Sequence, residues 1–378
     1  MTGEFPPHGG IRPITIAVDA MGGDHAPAAV VAGAVAAAAE LDIDVILTGR
    51  SAQLGPLLNA RAPDGDRPAL ISAGSQARER VRIAATDDFL AMDEGALASW
   101  RRPRSSVAIG CQLVRRGQAA AVVSAGSTGG IVATARLRLR SLPGVMRPGL
   151  AVVLPTQPEP TLLVDAGAIA DPKPEMLVAF AQLGVAYAQV AHGITDPRVG
   201  LLSIGAEPGK GNRLARRAHE LLASAPPHGG RPIRFVGNVE GSDLLAGKAD
   251  VIVTDGFTGN VALKALEGAA AFAAHQMRAA LTGSAPARFG ALFQRRGLRE
   301  LSGRMDAETY GGAALLGLEG TVVIAHGAST AKGIMSACRL ATDLAQGQIT
   351  EKIRERFGPG RGYFLRRSQR APGSGALE

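Results

Sequence analysis

The sequence predicts an α/β fold, a largely parallel sheet flanked by helices in an α/β/α arrangement. Three observations lead there. Short β-branched runs alternate with Ala-rich stretches of helical length over most of the chain, and almost every such run ends in a Gly-rich or Asx-rich turn. Hydrophobic residues make up 46% of the chain against 20% charged, enough to bury a large core. At 378 residues there is room for one large α/β domain or for two lobes.

Taken in order, strands are expected at residues 14–18, 45–47, 119–123, 161–164, 199–203, 233–236, 251–253 and 322–324. The first leads into Asp19, Ala20, Met21, Gly22, Gly23, Asp24 and His25, then an Ala-rich helix that Asp24 is placed to cap and whose first turn suits Pro27. In open parallel sheets ligands bind beyond the carboxyl ends of the strands, so the turns are expected to build the active surface. The chain's 49 glycines would let backbone amides approach a ligand there. Residues 1–12 read as a flexible N-terminal segment, 13–350 as the folded domain and 358–378 as a disordered basic tail. A projecting helical hairpin is expected at about 270–305, where Phe289, Leu292 and Phe293 share one helical face among many arginines.

The net charge of +8 is unevenly placed. Residues 101–140 hold eight arginines and no acid, and residues 278–304 hold six arginines against Glu300 alone. An acidic protein or small anions suit such tracts. Nucleic acid does not, because aromatics are only 4% and no recognition motif interleaves them with the basic residues. Cys111 and Cys338 are too few for a disulfide framework and form no CxxC pair, which favours a reducing compartment without structural zinc. The first dozen residues lack the apolar core of a signal peptide, and the Ala/Val-rich run near 26–39 is too short to span a bilayer. A cytosolic enzyme is the expectation.

The turns carry the candidate chemistry. Asp19, Gly22, Gly23, Asp24 and His25 form the first. Gly126, Ser127 and Thr128 open a helix, where small residues, hydroxyls and free amides make an anion site. That segment also resembles a nucleophile elbow with Ala125 for its first glycine, which would cast Ser127 as an attacking serine. Residues 201–212, LLSIGAEPGKGN, are no nucleotide phosphate loop, since Gly205 and Gly209 are four apart and Gly211 follows Lys210. What remains is a glycine turn presenting Lys210 and Asn212. Lys173, Asn238, Asn260 and Lys264 add cations and amides at further strand ends, Asp255 is a candidate catalytic carboxylate, and His326 closes the set. No metal is expected, because the seven histidines never fall at ligand spacing, and no cofactor, because no GxGxxG follows a strand.

In order along the chain, VDAMGGDHAP, SAGSTGG, DPKPEML, LLSIGAEPGKGN, FVGNVEG, DGFTGN and YGGAALLG with AHGAST closely resemble the phosphate acyltransferase family of bacterial phospholipid synthesis, over residues 14–343. The resemblance implies an isocitrate/isopropylmalate dehydrogenase-like fold, a homodimer, and acyl transfer from acyl carrier protein to inorganic phosphate. It also implies that the hairpin touches the inner face of the cell membrane, where an acyl-phosphate-using glycerol-3-phosphate acyltransferase takes the product. This chain departs from the family pattern where Ile169 follows Asp165, Gly167 and Ala168 in place of an asparagine, where Ser127 replaces an asparagine, and where Ala206 and Pro208 replace a more polar pair.

On this reading phosphate is the nucleophile, and the protein need only hold, desolvate and orient. Lysines and turn amides bind the phosphate, amides near Gly22, Gly23 or Gly126 stabilise the oxyanion, and His25, His326 or Lys210 protonates the leaving sulfur. Arg115, Arg116, Arg136, Arg138 and Arg140 would dock the acidic carrier protein. The alternatives are a short-chain phosphotransacetylase using coenzyme A, an oxidoreductase on the same type of fold, and a non-enzymatic scaffold at the membrane edge.

Overall fold

The computed structural model describes residues 13–59, 75–157, 159–224, 232–298, 303 and 307–358. The segments expected to be flexible at 1–12 and disordered at 358–378 therefore lie outside the described residues, Gly358 apart. In chain order the strands are β1 (Thr15–Asp19), β2 (Asp44–Gly49), β3 (Val81–Ala85), β4 (Ala121–Ser124), β5 (Gly149–Leu154), β6 (Thr161–Val164), β7 (Arg198–Leu202), β8 (Arg234–Val239), β9 (Val251–Val253), β10 (Ala313–Leu316) and β11 (Thr321–Ile324). The helices are α1 (Ala28–Glu40), α2 (Ser51–Asn59), α3 (Ser75–Glu79), α4 (Ala98–Arg101), α5 (Ser106–Arg115), α6 (Thr128–Leu139), α7 (Pro174–Ala191), α8 (Arg213–Ser224), α9 (Gly256–Thr282), α10 (Ala285–Phe293), α11 (Ala331–Gln346) and α12 (Ile349–Phe357). All eight expected strands form, and β3, β5 and β10 join them.

The chain separates into two compact units, the first formed by residues up to 138 with 322–342 and the second by the remainder. In the first, the strand order is β3-β2-β1-β4-β11. β1 runs parallel to both β2 and β4, with Val18 opposite Leu47 on one side and Val123 on the other. Ile16, Ala17, Val45, Leu47, Val122 and Val123 are fully buried, the continuous apolar character of strands covered by helices on a parallel sheet. Small residues set the packing distances. A Cβ on Gly110 would stand 2.7 Å from Val122, and one on Gly33 would stand 2.5 Å from the Ala331 carbonyl at the start of α11.

In the second unit the order is β10-β5-β6-β9-β7-β8. β5 is antiparallel to β10 and β6, and β6, β9, β7 and β8 are parallel. The helix α7 is buried at every position from Leu177 to Ala188, as a helix apolar on all sides must be. Gly184 lets it lie on the sheet, since a Cβ there would stand 2.4 Å from Val251 Cγ1.

Two expectations need correcting. Asp24 does not cap α1: the helix starts at Ala28 without a side-chain cap, and Asp24 instead donates its backbone N–H to the Gly327 carbonyl at 2.8 Å. The hairpin starts earlier than residue 270, because α9 is one 27-residue helix from Gly256, after which Ser284 caps α10 through the Ala287 N–H. Phe272, Met277, Phe289, Leu292 and Phe293 are exposed along it, and residues 299–302 and 304–306 lie outside the described residues. Among the described residues no helix is long and apolar enough to cross a membrane.

Candidate functional site

In the second unit the site is organised by the turn after β6. Asp165 is fully buried, and its Oδ1 accepts from the backbone N–H groups of Leu150, Gly167 and Ala168 at 2.9, 3.1 and 2.9 Å, its Oδ2 from Ile169 at 2.7 Å. Burial pushes this carboxyl above the usual range, against the opposing pull of the four amides. The start of α9 lies on this turn. Gly256 donates to the Ile169 carbonyl at 2.9 Å, and Gly259 sits so close that a Cβ would stand 1.9 Å from the Asp165 carbonyl oxygen. Asp255 caps α9, its Oδ1 accepting from the Thr258 N–H at 2.7 Å and its Oδ2 from the Thr258 hydroxyl at 2.8 Å.

Two more helices begin nearby. Lys173 holds the cap position of α7, ahead of Pro174, and Asn212 caps α8 by accepting from the Ala215 N–H at 2.8 Å. A cavity of about 750 Å³ is lined by the first residues of all three helices, among them Lys173, Asn212, Arg213, Arg217, Asp255 and Thr258. Helix N-termini carry partial positive charge and unsatisfied N–H groups, so three of them with Lys173, Arg213 and Arg217 favour an anion, against the carboxylates of Asp171 and Asp255 in the same lining and the Glu220 that pairs with Arg217 at 2.6 Å. A second cavity, of about 490 Å³, shares Asn212, Leu214, Asp255, Phe257 and Thr258 with the first. Lys173, Asn212 and Asp255 are the members that the sequence points to. Arg213 and Arg217 escape it, although two arginines four apart straight after a glycine turn share one helical face.

Other expected residues are placed differently. Asn238 is spent on the loop at 203–211: its Nδ2 donates to the Gly205 and Glu207 carbonyls at 3.3 and 2.8 Å. Since both amide hydrogens are used, its Oδ1 accepts from His219 Nδ1 at 2.9 Å, which fixes a proton on that nitrogen. The residue thus holds the glycine loop in place. Lys210 is exposed on that loop, directly before the cavity-lining Gly211 and Asn212. Asn260 is exposed and lies against Gly167, while Lys264 pairs with Glu267 at 2.7 Å.

In the first unit three turns come together. Asp19 is buried, accepting from the Met21 N–H at 3.1 Å and from the Ser124 hydroxyl at 2.7 Å. Burial raises its carboxyl above the usual range, with the hydroxyl and amide donors opposing. Ser124 in turn accepts from the Gly126 N–H at 3.2 Å, so that amide is committed within the fold rather than free for an oxyanion. Gly22 packs on Gly126, where a Cβ would stand 2.8 Å from the Gly126 nitrogen, and Gly23, at φ +111°, lies against Ala125 and Gly327. Asp24, His25, Thr128 and His326 are exposed around this junction, and Ser127 is half-buried. His326 Nδ1 accepts from the Ala328 N–H at 3.2 Å, which leaves the ring proton on Nε2 in the neutral form. Among the described residues no hydrogen bond joins Ser127 to a histidine.

Arg115, Arg116 and Arg136 are exposed on α5 and α6, whereas Arg138 is half-buried and donates to the Pro103 carbonyl at 3.2 Å. Arg140 is exposed at the start of the second unit. The acid-free tract is partly neutralised by its surroundings, because Arg102 pairs with Asp88 and Glu94, each at 2.8 Å.

The model of a family described as "Fatty acid synthesis protein" matches residues 14–352. A phosphate acyltransferase from Thermobifida fusca is 61% identical over 354 residues, covering 94% of this chain and 93% of that protein. Another from Thermus thermophilus is 43% identical, covering 90% and 98%. Among solved structures, a phosphotransacetylase from Streptococcus pyogenes aligns with a TM-score of 0.52 at 19% identity, covering 89% of this chain and 94% of that one, a likeness of fold. A phosphotransacetylase from Staphylococcus aureus aligns at 0.53 with 16% identity, covering 88% and 94%. These relationships set aside the oxidoreductase and the non-enzymatic scaffold: the chain belongs to the phosphate acyltransferase family and is an acyltransferase enzyme.

Proposed function

We propose that the enzyme transfers a long-chain acyl group from acyl carrier protein to inorganic phosphate, releasing carrier-protein thiol and acyl phosphate. One observation carries the reading: α7, α8 and α9 all begin on a cavity that also presents Lys173, Arg213 and Arg217, surroundings suited to a multiply charged oxyanion. Phosphate held there attacks the thioester carbonyl through one of its oxygens. The tetrahedral oxyanion then collapses, the carbon–sulfur bond breaks, and the departing thiolate takes a proton. Lys210, exposed beside Gly211, is assigned the proton donor's role, and Asn260 and Lys264 assist binding at the start of α9. The first unit carries its own cluster of candidate donors, Thr128, His25, His326 and the amide of Gly23, on turns shaped by Asp19 and Gly22.

Docking of the acidic carrier protein falls to the exposed Arg115, Arg116, Arg136 and Arg140. The apolar side chains along α9 and α10 suit contact with the inner face of the cell membrane, where a glycerol-3-phosphate acyltransferase would consume the product. A homodimer that is cytoplasmic and peripherally bound completes the proposal. The coenzyme A reading is kept alongside because of the fold shared with phosphotransacetylases.

The test is release of thiol from long-chain acyl carrier protein with and without phosphate, with the acyl phosphate trapped by hydroxylamine. Phosphate-dependent release is expected, and Lys173→Ala and Arg213→Ala should each raise the KM for phosphate about 10- to 100-fold, the worth of one charge-assisted hydrogen bond. Equal release without phosphate would overturn the reading in favour of hydrolysis, and faster transfer from acyl-coenzyme A would favour the alternative.

A further inference from the structure

An anion site accounts for one cavity of the second unit and leaves the other unexplained. That second cavity is walled by Leu201, Leu214 and Leu244, with Ile204, Phe257 and Val261 beside them. The last three are 83%, 66% and 53% exposed, so large apolar side chains stand uncovered around a concavity. Such a surface gains by taking up an apolar ligand. It is continuous with the cationic cavity through Asn212, Leu214, Asp255, Phe257 and Thr258. Glu240 and the shared Asp255 on its wall repel an anion, whereas the neighbouring cavity sets Lys173, Arg213 and Arg217 against Asp171 and Asp255, so a ligand with one charged end is oriented with that end toward the three cations.

We propose that this cavity is the acyl-chain site. The carbonyl end lies where α8 and α9 begin, and the chain runs past Phe257 and Val261 onto Leu214 and Leu244. The placement rests on the phosphate reading above and adds where the chain goes. It makes Val261 and Phe257 determinants of chain-length preference.

The experiment uses n-alkyl phosphates of four to twelve carbons, unreactive counterparts of the product, titrated calorimetrically into the full chain, with inorganic phosphate titrated separately. In the wild type Kd should fall with chain length, approaching about fourfold for each methylene that is buried. Val261→Trp, which fills the cavity from an exposed position, should flatten this dependence and weaken dodecyl phosphate at least about tenfold. Phe257→Ala, a truncation at the exposed rim that does not threaten folding, should weaken the longest chains too. Equal chain-length dependence in wild type and both variants overturns the proposal. So does a Val261→Trp protein whose sedimentation changes while its chain-length dependence does not, since the cavity would then be a contact between copies. If phosphate binds and chain length has no effect, the phosphate site stands and the chain site falls; with chain-length dependence but no phosphate binding, the chain site stands and the phosphate site falls.

Discussion

Adding one methyl group to α9 should have opposite effects at two of its glycines. At Gly259 a Cβ would stand 1.9 Å from the Asp165 carbonyl oxygen and 2.9 Å from Thr254 Cγ2, whereas at Gly268 it would meet nothing within 4 Å. Alanine is favoured over glycine in a helix interior by about 1 kcal/mol, so Gly268→Ala should stabilise by roughly that amount. Gly259→Ala gains the same propensity but must separate the helix from the Asp165 turn by about 1.5 Å to reach ordinary contact distance. The neighbour that must yield is backbone, held by the four amides bound to the Asp165 carboxylate. Overpacking of this kind costs about 1–3 kcal/mol and occasionally more, and since the propensity gain is common to both, the two variants should differ by that amount. Urea unfolding, followed by far-ultraviolet circular dichroism, measures the difference. The same shift displaces Asp255 and Thr258 from the anion cavity, so Gly259→Ala should also raise the KM for phosphate while Gly268→Ala leaves it alone. A Gly259→Ala protein as stable as Gly268→Ala would refute the close packing from which both effects are derived.

Three further outcomes are expected. Asn238→Ala strips the Gly205 and Glu207 carbonyls of their donor, at a cost of about 1–3 kcal/mol for buried groups left unpaired; the KM for phosphate should rise about tenfold with a smaller change in kcat. His219→Asn, which presents a donor where Nδ1 stood, should preserve kinetics that His219→Ala impairs, and equal impairment would argue against the clamp. The Asp19 carboxyl is raised by burial, so its contribution to stability is full below the unfolded carboxylate range and is lost as pH rises through its folded value. Asp19→Asn should therefore gain stability relative to wild type as pH rises above the ordinary carboxylate range, and a relative loss on raising the pH would contradict the assignment.

The parallel strands were legible because burial on both sides makes them continuous apolar runs, as in Val251–Val253 and Thr161–Val164. β10 was hidden by its composition: Ala313–Leu316 reads AALL, a helical signature that pairing with β5 overrides. The lining of the candidate cavity was legible where it is written in residue type, as at Lys173 and Asn212, and obscured where it depends on which helices meet. Arg213 and Arg217 look like ordinary surface charge until α7 and α9 are placed beside them. Conversely, Asn238 and the Gly126 amide look available in the sequence but are committed inside the fold.

The bond from the Ile169 N–H to Asp165 explains how an asparagine could be lost there without dismantling the turn. Asp165 reads the main chain at that position and ignores the side chain, and Gly256 likewise reads only the Ile169 carbonyl. For the turn's geometry the position therefore has two letters, proline and everything else. Any residue type that keeps its N–H is therefore silent to the scaffold at position 169, because both contacts are made by the main chain.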